Sequence, residues 1–224
     1  MTMWNFQTPD MTSMVKGLSS QAQQYGQKLG AFGASMAAGA ERPDPMQNGA
    51  TMNATYGQDY HPVQRGTAAD AKYYRDLGFN ENVPLSLIHT ESSGRWNAEN
   101  NVEGANGKKG HYGILQFGHA RLSDAIQAGA IPQMTPEQFM GNSKAQIAAA
   151  NWHFNDIDRR IFKNGLDRYL GQNVGGVNIT MDALRAMAHL GGFGGMRSYL
   201  RTGGGDNRAD AYGTSLRKYG QIHG

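Results

Sequence analysis

One carboxylate in this chain of 224 residues stands where a solvated charge does not belong. In the stretch LIHTESSGRWNAEN, residues 87–100, Glu91 follows an apolar run and precedes Ser-Ser-Gly. Wound as a helix, Val83, Leu87, Glu91, Pro84 and Ile88 fall within one arc, which puts Glu91 in the middle of the apolar face. A carboxyl taken out of water holds its proton more tightly, and that is the property a general acid needs. The alternative is a structural carboxylate paired with Arg95 or Arg121. Gly94 ends the helix just beyond Glu91, so the acid lies in a last turn bordering an open loop, as a cleft wall would.

Other chemistries find little support. The seven histidines include no HxxxH pair and the chain has no cysteine, which argues against a zinc site and excludes disulfides. GGFGG at 191–195 follows a helical pattern, not a strand, and lacks Lys-Ser/Thr, so it is not a phosphate cradle. No cofactor is implied. The net charge of +3 and pI near 9.1 favour polyanions in general. The basic residues are scattered, which argues against a specific nucleic-acid partner.

The elements that must position Glu91 read as short helices. One spans 68–77 before Gly78, and a second, capped by Asn82 with Pro84 in its first turn, carries Glu91. A third covers 119–128, Thr135 and Gln138 form a capping box for a fourth, and the longest runs from about 143 to 164. Its stripe of Ile147, Ala150, Phe154, Ile157 and Ile161 marks a core helix, with Trp152 and His153 beside it. Thr180 caps a further helix that runs into GGFGG before a short one at 195–202. The glycine-rich segment 100–113 has room for a small hairpin. Residues 67–224 thus predict one mainly α-helical domain.

Upstream, Met11, Val15, Leu18, Ala22, Tyr25, Leu29, Phe32 and Met36 step alternately by four and three, a heptad seam within an amphipathic helix over 1–40. It either docks on the chain's own domain or anchors the protein to a partner. Residues 41–66, with prolines at 43, 45 and 62, read as a linker or extended arm. MTMWNFQTPD lacks the basic flank and apolar stretch of a signal peptide.

Three blocks carry a resemblance. ESSGRWNAEN resembles the catalytic segment of the lytic transglycosylases of the lysozyme-like superfamily, GILQF at 113–117 resembles their Gly-Leu-Met-Gln block, and MAHLGGFGGMRSYL at 187–200 is similar to their third block. GTSLRKYG at 213–220 resembles the closing tyrosine segment, and LQFGHARL and NWHFNDI look most like versions carried by virions of tailed bacteriophages. The resemblance implies a lysozyme-like fold, α+β with a small or absent hairpin.

It also implies roles. Glu91 is the lone catalytic acid, protonating the glycosidic oxygen between N-acetylmuramic acid and N-acetylglucosamine and then, as a base, activating the muramic 6-hydroxyl to leave a 1,6-anhydro product. Ser92 positions substrate or Glu91, and Gln116 offers amide hydrogen bonds to the sugar. Phe117, Tyr112, Tyr199 and Tyr219 are candidate cleft residues, with core packing the alternative for all three tyrosines. The chain departs from the family at His189-Leu190, where Tyr-Asn is usual. His189 is therefore either a hydrogen-bond donor to substrate or acid, or a packed core histidine.

The expectation is a peptidoglycan-cleaving enzyme of a phage particle, in the tail or inside the virion, acting in the host periplasm during genome delivery. Residues 11–36 would join it to other virion proteins in a homo- or hetero-oligomeric assembly. Two alternatives stand beside it. One is a hydrolytic lysozyme using Glu99, Glu103 or Asp124 as a second carboxylate. The other is an inactive virion protein that keeps the fold as scaffold or wall-binding module, for which His189-Leu190 speaks.

Overall fold

The computed structural model describes residues 66–103 and 109–224. The helix expected over 1–40, with its seam at 11–36, and the arm over 41–66, residue 66 apart, lie outside the described residues. What is described is mainly helical, with two small antiparallel sheets. In chain order the helices are α1 (Ala68–Asp76), α2 (Leu85–Ser92), α3 (His119–Gln127), α4 (Pro136–Met140), α5 (Ser143–Lys163), α6 (Met181–Arg201) and α7 (Leu216–His223). None of them is long and apolar enough to cross a membrane.

Local chemistry accounts for most boundaries. Thr67 accepts from Asp70 N at 3.1 Å to start α1, and Thr135 and Gln138 form the expected capping box of α4. Thr180 accepts from Ala183 N at 3.0 Å to start α6. Gly165, at φ 61°, follows the end of α5 in the left-handed conformation. Asn82 does not cap α2. Pro84 occupies that position without a side-chain cap, and Asn82 Nδ2 instead donates to Asn155 Oδ1 on α5 at 2.7 Å. Tertiary packing has claimed the amide that local chemistry would have used.

The 100–113 segment contributes an antiparallel strand pair, as expected, and a third short strand beyond it extends the sheet. Strands β1 (Glu99–Glu103), β2 (Lys109–Tyr112) and β3 (Phe117–Gly118) make a sheet in that order, with Asn100 opposite His111 and His111 opposite Gly118. A second pair, β4 (Asn173–Val174) and β5 (Val177–Asn178), sits between α5 and α6 in the chain.

GGFGG interrupts the helix as expected: Gly192, at φ 69° and ψ 163°, leaves helical geometry, so the span of α6 is two helical segments joined at a kink. The glycines serve packing: a Cβ on Gly191 would lie 2.6 Å from Leu216 Cδ2, and one on Gly220 would lie 2.9 Å from Val177 Cγ1. Helix α7 thus packs on α6 through side-chain-free surfaces at both ends of the contact. That close approach brings Tyr219 to the end of α2.

The core joins α2 to α5 and α6. Leu87, Ile88, Phe154, Ile161, Leu184 and Met187 are each fully buried. The predicted α5 stripe faces this core, with Ile147 at its partly buried edge. Two polar anchors lie within it. The Arg185 guanidinium makes a bidentate pair with Asp158, at 2.9 and 2.7 Å, with side chains 3% and 2% exposed. Gln146 accepts from Ile114 N at 2.7 Å and donates to the carbonyls of Trp96, Phe139 and Met140. It ties the 113–117 loop to α4 and α5.

Candidate active site

Glu91 opens onto a cleft of about 820 Å3, within the size of ordinary ligand sites. Gln116, Phe117, His189 and Tyr219 share its walls, so five of the eight expected site residues meet there. They arrive from α2, the 113–117 loop, α6 and α7, sequence positions spread over more than half the chain.

The last turn of α2 sets the acid. Ser93 caps the helix at φ 57°, and Gly94 follows at φ 82°. Ser92 is buried, donating to Ile88 O at 3.1 Å and accepting from Gly94 N at 3.1 Å. It therefore shapes the turn that ends α2 and is not among the residues lining the cleft. Gln116, at φ 48°, is the second left-handed residue other than glycine in the described structure. Both such residues flank the cleft, where backbone strain of about 1–2 kcal/mol each is held by surrounding packing. Gln116 Nε2 donates to Ala98 O and Gly113 O at 3.2 and 2.9 Å. Its amide N–H groups are spent on the loop, and the carbonyl oxygen is what it can offer a sugar.

Glu91 forms no ion pair with Arg95 or Arg121 in the described structure. The Tyr219 hydroxyl donates to its Oε1, and His189 Nε2 lies 3.5 Å from the same oxygen. The side chain is 16% exposed. Burial pushes its pKa up from 4.5 to about 7, with the charge of Asp210 adding, against the Tyr219 hydrogen bond and His111. Glu91 therefore keeps its proton to higher pH than an ordinary carboxyl, in the direction a general acid needs. The Tyr219 phenol is pushed upward, by burial first and then by Glu91, and stays a hydrogen-bond donor.

His189 is neutral. Burial, then the charge of Arg121, then His111 hold it down at about 4, and a backbone hydrogen bond to Leu115 opposes them only in part. Its 3.5 Å approach to Glu91 is a neutral imidazole beside a carboxyl, not a salt bridge. Behind it, His153 Nε2 is 3.1 Å from His189 Nδ1, and Arg121 Nε donates to His153 Nδ1 at 2.7 Å. Phe117 and Phe154 close on this pair, with ring centroids 5.4 and 4.8 Å from His153.

Tyr199 and Tyr112 are not on the wall. Tyr199 is fully buried and donates to Val174 O and Gly175 O at 3.1 and 3.2 Å, holding the β4–β5 hairpin. Tyr112 is buried, with its hydroxyl 3.1 Å from His119 Nε2. Both follow the core alternative, because a tyrosine on an apolar stripe needs only one polar partner to be satisfied inside. Of the carboxylates considered as a second catalytic group, Glu99 is exposed on β1, Glu103 has no described side chain, and Asp124 reaches the cleft beside Arg121.

Asp210 also lines the cleft, and sequence reasoning did not single it out. Its Oδ1 accepts from Tyr212 N and Thr214 N at 2.9 and 2.7 Å, which fixes a turn ahead of α7. The exposed Tyr212 of that turn donates to Asn100 Oδ1 on β1 at 3.0 Å, linking the two sides of the sequence at the cleft. His153 was missed as a site residue too. Its one visible signal was a histidine next to a core stripe. Among the described residues no group of three or more histidine, aspartate or glutamate side chains is placed to hold a metal ion.

The chain matches no protein-family model, and neither a curated protein nor a solved structure is similar to it at a significant level.

Proposed function

We propose that this chain is a lytic transglycosylase of lysozyme-like fold that cleaves peptidoglycan with Glu91 as its only acid and base. The observation that carries the reading is a mostly buried carboxyl, its pKa pushed up by burial, held by Tyr219 at the wall of a cleft of about 820 Å3. Protonated Glu91 gives its proton to the glycosidic oxygen, the C1–O bond breaks, and the substrate's acetamido group stabilises the positive centre. Ionised Glu91 then takes the proton of the muramic 6-hydroxyl, whose oxygen closes on C1 to give the 1,6-anhydro end. The likeness of LQFGHARL and NWHFNDI to versions carried by phage virions supports a role in a phage particle, with the chain joined to other virion proteins through 11–36 and acting on the host wall.

Mass spectrometry of muropeptides released from sacculi tests the reading. Wild type should release anhydromuramic ends and Glu91→Gln should release none. Equal release by both would remove Glu91 from the chemistry. Asp210 is the specific observation favouring a hydrolase, since it is a second carboxylate in the same cleft; reducing ends, lost in Asp210→Asn, would establish that reaction. Binding to sacculi without release by either protein would leave the fold as a wall-binding module.

A further inference from the structure

The row behind Glu91 has a direction. An arginine is always a donor, so Arg121 Nε at 2.7 Å requires His153 Nδ1 to be an acceptor. A neutral imidazole carries one proton, and with Nδ1 accepting it must sit on Nε2, from which it points at His189 Nδ1, 3.1 Å away. By the same rule His189 carries its proton on Nε2, the nitrogen that lies 3.5 Å from Glu91 Oε1, and this one N–H is shared between that carboxyl and the Leu115 carbonyl. Both histidines are neutral because burial, aided by the fixed charge of Arg121, depresses them.

Nothing in the row is free to reverse. Arg121 is held by Asp156 Oδ2 at 2.8 Å and Asp124 Oδ2 at 3.3 Å, and its guanidinium lies 4.0 Å from the Trp152 ring. The His153 and His189 rings meet edge to face at 5.2 Å, with the Phe154 ring 5.9 Å and the Phe117 ring 6.3 Å from His189. Tyr219 donates to Glu91 Oε1, the oxygen that His189 Nε2 also approaches. An oxygen facing two donors is the poor place for a carboxyl proton, which leaves that proton on Oε2.

Resting on Glu91 as the acid of the proposed reaction, we propose that Arg121, through His153, fixes His189 as an Nε2–H donor and thereby confines the transferable proton of Glu91 to Oε2. Arg121 and His153 are positioning residues, and neither needs to touch substrate. With the opposite tautomer, His189 Nε2 would be an acceptor and would draw the Glu91 proton onto Oε1, towards the protein interior. Arg121, one of the two arginines weighed in the alternative reading as a direct partner of Glu91, acts instead through two intervening rings. The other titratable groups felt at His189 are His111 and the neighbouring His223.

The test reads tautomers directly. In the full chain labelled with 15N-histidine, at a pH near 6.5, long-range 15N–1H spectra should show His153 and His189 each protonated at Nε2 alone. His153→Leu and Arg121→Met should each abolish the single His189 tautomer. His153→Gln, whose amide can accept from Arg121 and donate to His189, should restore it. On sacculi, His153→Leu should lower kcat about tenfold with KM little changed, a fraction of what a general acid supplies, and the glutamine variant should recover most of that. Nδ1 protonation of His189 in wild type overturns the proposal with no variant needed. So does a His189 tautomer indifferent to both Arg121→Met and His153→Leu in folded protein. A wild type that releases no muropeptides but shows the expected tautomers refutes the enzymatic reading and leaves the row standing.

Discussion

Replacing Glu91 by glutamine should abolish turnover and stabilise the fold, and the stabilisation should depend on pH in a defined direction. The folded chain holds the Glu91 proton up to about pH 7, whereas an unfolded chain releases it near 4.5. Between those values the folded state binds more protons, so its stability falls as pH rises through the window and the loss is complete above about 7. With about 1.4 kcal/mol for each tenfold change in proton affinity, the loss is about 3 kcal/mol. The side chain is only 16% exposed, so solvent screening takes little from that figure.

Glutamine does not titrate, and its amide oxygen can occupy the Oε1 position where Tyr219 and His189 point. Wild type and Glu91→Gln should therefore be about equally stable near pH 4.5. The variant should gain steadily to about 3 kcal/mol at pH 8, or roughly 6–12 °C in Tm for a domain of this size. Thermal denaturation of both proteins across pH 4.5–8, followed by circular dichroism, measures the difference. The buried histidines titrate in both proteins and cancel. A stability difference that stays constant across this range would show that Glu91 is an ordinary solvated carboxylate and would refute the reasoning.

Tyr219→Phe removes the hydrogen bond that lowers the Glu91 pKa, so the alkaline limb of kcat/KM should move upward from about pH 7; a limb that stays or moves down would exclude the contact. Arg185→Met strands the buried Asp158 carboxylate and should cost about 3–5 kcal/mol in urea denaturation, without changing the pH profile of activity. Gln146→Leu removes the side-chain partner of Ile114 N–H and of the Trp96 and Met140 carbonyls, while Phe139 O keeps its bond from Asn142 N; at about 1–3 kcal/mol per buried group it should cost about 3 kcal/mol or more and lower activity by loosening the Gln116–Phe117 wall.

Local signals in the sequence predicted the helices well wherever the deciding interaction is local. Thr135 and Thr180 cap as their spacing implies, and the α5 stripe faces the core. The reading erred where distant contacts decide. Asn82 reaches across to Asn155, seventy-three positions away, and abandons the cap. The GGFGG run was legible as a break, which Gly192 supplies, but the room that Gly191 leaves for Leu216 is a distant contact its pattern does not announce. Tyr199 sits in a block that resembles cleft sequence, but its hydroxyl is satisfied by the Val174 and Gly175 carbonyls, which no local pattern announces.

The site divides along the same line. Glu91 was visible because an acid on the apolar arc of a helix conflicts with its surroundings, and conflict is detectable from one segment alone. His153 creates no such conflict, since a histidine beside a stripe of alanine, phenylalanine and isoleucine is compatible with many environments. Its significance lies in two partners, thirty-two residues upstream and thirty-six downstream, and in the donor and acceptor order that Arg121 imposes on all three. The departure at His189 looked like a weakness because it was compared with the tyrosine it replaces. Set between His153 and Glu91, it has the donor geometry that a tyrosine hydroxyl would supply, together with something a hydroxyl lacks. A hydroxyl can rotate its proton away, whereas an imidazole held at Nδ1 cannot. A histidine with its donor fixed at Nε2 requires a partner at Nδ1, and the packing of α5 against α6 provides one by bringing His153 against His189.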